Sequence, residues 1–279
     1  MNEYTGYKTT EYKVDKDNFS WLYDIVKKNA KDIGLDIEKE GIKVSFFIDS
    51  DNPSLKGYKN NAAMSYFSKT LYIGIDYPTR ISERVKNPDN FDAALEGVIK
   101  HELQHYKDFK QGYYNDLFSI ALQGPFAQYL LSDEISRFKK INECRADFVN
   151  IGNDGFIDYR QNNDSFYTGS THPSGLDRMR SLMIQSHIKE KTKRESNPDG
   201  IILTPNDVEF NGKCEFSITN KDKLYAIPAE VLVEAYNKAE RSVPKHRHVS
   251  LPEEEPAKVF SGLKPKAQQN WDARKGVGP

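Results

Sequence analysis

Two histidines and a glutamate in the stretch His101-Glu102-Leu103-Gln104-His105 have the types and the spacing that zinc chemistry requires. On a helix, residues four positions apart lie on one face, so both imidazoles can reach a single ion. Glu102 would then flank that ion as a general base. A hydrolytic zinc site also needs an open position for water and a third protein ligand, which must come from elsewhere in the chain.

The element that must position this motif is a helix predicted from Phe91 to about Phe109. Its apolar stripe turns polar for one turn, at Glu102 and His105. Burying an unpaired carboxylate and imidazole costs roughly several kcal/mol, and a bound metal would offset that cost. A pattern this short also occurs by chance in exposed helices. The position on the apolar side of a capped helix favours the metal site.

A second helix, predicted from Asp133 to about Ile151, places Glu143 and Asp147 four residues apart on one face. Glu143 would be the third zinc ligand, and Asp147 would accept a hydrogen bond from the far nitrogen of a ligand histidine. The alternative is a solvated acidic face on a charged helix. The neighbouring histidine motif favours the metal site over that alternative.

The remaining pattern predicts an α+β fold that is mainly helical, with a small β-sheet backing the helix of the histidines. A third helix, from Leu176 to about Lys191, follows the turn at 169–173. The other predicted elements are a helix at 15–34, strands at 42–48 and 70–75, two short strands near Ile201 and Phe216, and a helix at 228–239. A domain carrying the candidate metal site would span 1–195, followed by a small α/β extension at 196–243. A tail at 244–279, charged and without periodicity, is predicted to be disordered.

The charge composition limits the possible partners. The 279 residues carry 40 Lys+Arg against 41 Asp+Glu, so no global field attracts nucleic acid or an anionic membrane, and a protein or small-molecule substrate is favoured.

Cys144 and Cys214 are too few for a disulfide framework and are interpreted as structural, with free thiols left open. The apolar segment 117–131 is too short and broken to span a membrane, and no signal peptide is evident. We therefore expect no stable membrane insertion, and either a cytoplasmic protein or one exported without a signal peptide.

Four motifs occur in an order that resembles the zinc endopeptidases of the CAAX prenyl protease and HtpX type, which are gluzincins. The His-Glu-x-x-His motif is followed by Glu-x-x-Ala-Asp and then by Thr-His-Pro with an arginine six residues after its histidine. In this chain these are Glu143 to Asp147, Thr171-His172-Pro173 and Arg178, and Asn61-Ala62 resembles the family's Asn-Ala before its edge strand. The resemblance covers residues 42 to about 185 and implies a zincin-like metallopeptidase fold over 1–195. Most members of the family carry membrane helices near these motifs, whereas this chain has only the short segment 117–131, so we expect a soluble, minimal version.

The resemblance implies that His101, His105 and Glu143 bind Zn²⁺ and that Glu102 is the general base. Asp147 and Arg178 would support the site from outside the ligand set.

The same resemblance implies that the strand at 70–75 is a sheet edge that pairs with an extended peptide substrate. His172 would border the active site, where it either stabilises the oxyanion or orders a loop.

The function expected is therefore that of a zinc-dependent endopeptidase acting on a protein substrate. Two alternatives stay open: a catalytically silent, zinc-stapled interaction module, and a secreted bacterial effector protease that acts on a host protein. An intact Glu102 favours an enzyme, because a purely structural zinc site has no need of it.

Overall fold

The structure, a computed structural model, describes residues 8–50, 58–163, 171–195 and 200–242. The helices are α1 Ser20–Asp32, α2 Ile37–Glu40, α3 Tyr77–Ser82, α4 Phe91–Lys110, α5 Asn115–Leu122, α6 Pro125–Leu130, α7 Ser132–Phe148, α8 Asp154–Asn163, α9 Gly175–Glu195, α10 Lys221–Ala226 and α11 Ala229–Ser242. The strands are β1 Thr9–Val14, β2 Lys43–Ser50, β3 Ala62–Ser65, β4 Thr70–Gly74, β5 Val208–Phe210 and β6 Phe216–Ile218. The predicted α+β class, mainly helical with a small sheet, is confirmed.

The larger sheet has the strand order β1-β2-β4-β3. β2 and β4 are parallel, whereas β1 pairs with β2 and β3 pairs with β4 in antiparallel register. The prediction that 70–75 forms an edge is therefore wrong, because β4 is hydrogen-bonded on both sides. Among the described strands, the two edges of this sheet are β1 and β3, and β3 is the one that contacts α4. β3 was not predicted because its four residues, two of them alanine, have weak β-propensity.

Helix α4 lies at the centre of the described chain. It contacts β3 on one side and α1, α7 and α8 on others, so its buried residues extend over more than one face. Gly97 allows the closest of these approaches, because a Cβ atom there would lie 2.6 Å from the buried Phe156 side chain of α8. The predicted helix at Phe91 to Phe109 is thus confirmed, and α4 is held rigidly by its neighbours.

Several local predictions differ from the structure. β1 was not predicted, because five of its six residues are exposed and only Val14 is buried. Helix α8 was also missed, since its sequence lacks a clear apolar stripe. The strand expected near Ile201 lies instead at Val208–Phe210, where it pairs with the correctly predicted strand at Phe216.

The C-terminal described segment is joined to α7 by a disulfide. Cys144 and Cys214 are bonded, with their Cα atoms 5.3 Å apart, and both are buried together with Phe148 and Phe210. This resolves the open choice between free thiols and a structural pair. Helix α11 packs on α9 in a separate apolar cluster that includes Ile188.

The described residues all belong to one compact unit, Met1–Val243. The division of this unit into 1–195 and 196–243 stays a prediction, and the predicted disordered tail at 244–279 lies outside the described residues. Among the helices that the structure describes, none combines the length and the hydrophobicity needed to cross a membrane.

Candidate metal centre

His101, His105 and Glu143 form a cluster that could hold a metal ion, with one potential ligand atom from each within 4.8 Å of the others. The two Nε2 atoms are 3.1 Å apart. Glu143 places Oε2 3.3 Å from Nε2 of His101 and Oε1 3.3 Å from Nε2 of His105. Two ligand atoms about 2.05 Å from a tetrahedral Zn²⁺ would be about 3.3 Å apart. The spacing therefore fits three ligands of one such ion.

Helix α7 brings the carboxylates to this cluster by packing against α4. Ala146, between the two carboxylates on α7, is fully buried. The side chains of Glu143 and Asp147 are only 14% and 3% exposed. The alternative of a solvated acidic face is therefore wrong for these two residues.

Asp147 connects a candidate ligand to a buried arginine. Its Oδ1 lies 2.9 Å from Nδ1 of His101, on the far side of the ring from the metal cluster. Arg178, itself 2% exposed, donates from Nε to Oδ2 and from Nη2 to Oδ1 of Asp147. Burial alone would raise the pKa of Asp147, but the Arg178 and Arg160 guanidinium groups hold it below its usual range. Asp147 and Arg178 thus lie in the supporting positions that the sequence predicted.

Tyr114 supports the second histidine in a way that sequence analysis did not single out. Its hydroxyl lies 2.7 Å from Nδ1 of His105, and the residue is buried. If Nε2 binds a metal, Nδ1 must carry the proton and donate it to the tyrosine oxygen. Only the turn between α4 and α5 places Tyr114 here, nine residues beyond His105, so helical spacing gave no signal.

The charges of the cluster are set by mutual contacts. Burial lowers the pKa of His101, but the carboxylates of Asp147 and Glu143 outweigh it and raise the pKa to about 9. Burial would raise the pKa of Glu143, yet the two histidines lower it well below its usual range. Without metal, the cluster therefore stores a proton on His101 beside an ionised Glu143.

Glu102 faces the sheet edge. The backbone N–H of Met64 in β3 donates to Oε2 of Glu102 at 3.1 Å. Burial raises the pKa of this carboxyl, while the charges of His101 and His105 oppose the rise. A raised pKa moves a carboxylate toward the range in which it can accept and return a proton near neutrality.

His172 lies beside the cluster but outside its three-residue ligand group. Its Nε2 is 3.4 Å from Oε2 of Glu143 and its side chain is 56% exposed. Burial of part of the ring lowers its pKa, against the opposing effect of Glu143, and Nδ1 lies 2.6 Å from the Thr171 hydroxyl. This position borders the site as predicted, and the choice between an oxyanion role and a loop-ordering role stays open.

A cleft of about 560 Å³ contains the cluster. Strand β3 lines the cleft, as do residues of α5, α6 and α7. We call the part beside Phe118 the apolar end, lined by Leu117, Phe118, Ala121 and Ile135. We call the part beside Arg160 the cationic end, lined by Tyr77, Arg80, Tyr159 and Arg160. The lining of the cleft thus includes both an apolar and a cationic group of side chains.

Comparisons with family models, with curated proteins and with solved structures found no match for this chain. The resemblance to zinc endopeptidases therefore depends on the motifs and on the geometry described above.

Replacing Tyr114 by Phe is expected to weaken zinc affinity about tenfold, because supporting hydrogen bonds to ligand histidines are typically worth tenfold to a hundredfold. The measurement is competition with a chromophoric chelator. Tyr113→Phe is the matched control, since that hydroxyl donates to Asn206 instead. Equal affinities for the two variants would contradict the role assigned to Tyr114.

Proposed function

We propose that this protein is a zinc-dependent endopeptidase with a zincin-like fold, of the gluzincin type that its motifs resemble. The observation that carries the proposal is the metal-ligand spacing of His101, His105 and Glu143 beside Glu102, in a cleft bounded by a free strand edge. Each of these features serves peptide hydrolysis, and together they exceed what a structural metal site needs.

The donor set supports zinc as the metal. Two neutral imidazoles and one carboxylate with a fourth position open match the His₂Glu sites of hydrolytic zinc enzymes. Zn²⁺, when bound, would supply Lewis-acid polarisation and lower the pKa of a bound water to about 7. Asp147 and Tyr114 would orient the two imidazoles from their outer nitrogens.

Glu102 is the residue that would move the proton. Its carboxylate takes a proton from the attacking water and later delivers it to the departing amine. The Met64 N–H donates to Oε2, and within the described part of the chain Oε1 is left to accept the proton. The raised pKa of Glu102 supports the first transfer, because a carboxylate of higher pKa is a stronger base toward the attacking water.

Strand β3 would bind the substrate backbone. An extended peptide can add to a free sheet edge through main-chain hydrogen bonds, and the free edge here is Ala62–Ser65. This replaces the 70–75 strand in the predicted role. The Met64 N–H points toward the cleft, since it donates to Glu102.

Zinc affinity is expected to rise with pH until about 9, the pKa of His101 in the metal-free protein. Below that pH a proton on His101 competes with zinc, so affinity falls about tenfold for each pH unit. Glu143 is already ionised and adds no such dependence. Titration calorimetry in buffers of different ionisation enthalpy should detect the release of about one proton near neutral pH. An affinity that is constant between about pH 6.5 and 8 would contradict the raised pKa.

The test of the proposed function is cleavage of a broad peptide library by the zinc-loaded protein, read by mass spectrometry. Activity should disappear with a chelator and return with zinc. A silent interaction module would bind zinc equally well and cleave nothing, so metal analysis alone does not separate the two functions. The Cys144–Cys214 disulfide favours an exported setting over a cytoplasmic one, because cytosolic reductants keep most thiols reduced.

A further inference from the structure

Arg160 in α8 is a largely buried cation whose N–H donors are only partly matched by acceptors. Its side chain is only 11% exposed, and Nη2 lies 3.5 Å from Oδ1 of Asp147, beyond normal hydrogen-bond distance. Its Nε is buried without a hydrogen-bond partner among the described residues. Oδ1 of Asp147, the oxygen nearest to Arg160, already accepts from Nη2 of Arg178 and faces Nδ1 of His101 at 2.9 Å, so both of its lone pairs are directed at other donors.

The position of Arg160 is fixed. Its guanidinium carbon lies 4.9 Å from the ring centroid of Phe156 and 5.8 Å from that of Tyr159. Phe156 is itself locked against Gly97 of α4. A guanidinium held in this way can present its N–H donors without losing further side-chain entropy when a ligand binds.

The same side chain lines the cleft beside Glu102 and His172. Arg80 lines the same end, where it donates to the backbone oxygen of Asn60 at 2.8 Å and adds positive charge. Because Arg160 lines the cleft while its Nε is buried, the terminal N–H groups of the guanidinium are the donors that a bound peptide would meet. A planar guanidinium with free N–H groups is suited to a carboxylate, which it can bind through two parallel hydrogen bonds.

We propose that Arg160 is a carboxylate-binding residue of the cleft, and that the peptides bound there carry a carboxylate close to the metal cluster. The carboxylate comes from an Asp or Glu side chain or from a free C-terminus. This inference depends on the proposed function only in requiring that the cleft binds peptides. It makes Arg160 a specificity residue that none of the four sequence motifs contains.

The experiment uses labelled decapeptides with a central Phe, which matches the apolar end of the cleft. A single Asp is scanned through the other positions against Asn at the same position, and each peptide is made with a C-terminal acid and with an amide. Affinity is measured by fluorescence anisotropy on the zinc-loaded Glu102→Gln protein, and kcat and KM on the wild type. We expect one or two Asp positions, or the acid terminus, to bind about tenfold tighter than the neutral match.

Arg160→Gln should reduce the ratio of acidic-peptide to neutral-peptide affinity to about one. Arg160→Lys should retain part of that ratio, because lysine keeps the positive charge but cannot form two parallel hydrogen bonds to one carboxylate. Arg137→Gln, which removes an exposed arginine outside the cleft, is the charge-matched control and should leave the ratio unchanged. Thermal denaturation shows whether each variant is folded. Whether the wild-type protein prefers carboxylate-bearing peptides also tests the inference, and this comparison does not require that an Arg160 variant be folded.

If affinity is the same for Asp and Asn at every position but is higher for the C-terminal acid than for the amide, the inference is supported and the carboxylate is that of the chain terminus. Absence of any carboxylate preference in the wild type overturns it, as does a preference that survives in folded Arg160→Gln. Loss of kcat on every peptide with an unchanged preference also overturns it, since Arg160 would then act at the reacting atoms. If no peptide is cleaved but the binding preference holds, the endopeptidase proposal fails and this inference stands.

Discussion

Replacing Glu102 by Gln is expected to lower kcat/KM for peptide cleavage about a thousandfold while zinc stays bound. A positioned general base contributes roughly a hundredfold to ten-thousandfold, and the amide cannot accept the proton. The substitution is nearly isosteric. Glutamine can still accept the Met64 N–H that Glu102 accepts now, so the fold and the three metal ligands should be unaffected. The measurements are single-peptide kinetics and zinc content by mass spectrometry of metals.

Glu96→Gln is the matched control. Glu96 lies on the same helix, outside the cleft, and pairs with Lys28 at 2.8 Å. Its loss should leave both cleavage and zinc content unchanged. Undiminished zinc-dependent cleavage by the Glu102→Gln protein would show that the general base is another residue.

Replacing Glu143 by Ala is expected to weaken zinc binding by at least about a hundredfold, because loss of a ligand should exceed the tenfold to hundredfold typical of supporting residues. Peptide cleavage should fall with it at limiting zinc. Glu143 is the only one of the three candidate ligands that comes from α7. The variant therefore tests whether the packing of α7 on α4 completes the site. Chelator competition gives the affinity.

Glu134→Ala, an exposed change in the first turn of the same helix, should leave zinc affinity unchanged. If Glu143→Ala retains full affinity, the third ligand is another residue. Asp147 and His172 are the nearest alternatives, and their alanine variants would decide between them. Circular dichroism of each apo-protein separates loss of a ligand from loss of the fold.

The geometry of the histidine pair could be predicted because it is local. A helix fixes the relation between positions four apart through backbone hydrogen bonds alone. The same rule paired Glu143 with Asp147. The interruption of the apolar stripe at Glu102 and His105 also indicated the buried side of α4, and both histidines are buried.

Features that depend on strand pairing or on turns could not be predicted from helical spacing. β3 exists because Ala62–Ser65 pairs with residues 70–73 of β4, and its own sequence has little strand preference. Because of that pairing, the edge strand on this side of the sheet is β3 and not the predicted β4. Tyr114 reaches His105 through a turn, and Arg160 reaches the cleft through α8, which has no distinct apolar stripe.

The sequence by itself determined which residues carry the chemistry of the candidate site: His101, Glu102, His105, Glu143 and Asp147. Their types and helical spacing are properties of single segments. Only the tertiary structure decided that α7 meets α4 at ligand distance, that β3 forms the free edge and that Arg160 faces the cleft. Those relations arise from packing between segments distant in the chain, where burial and pairing outweigh local propensity.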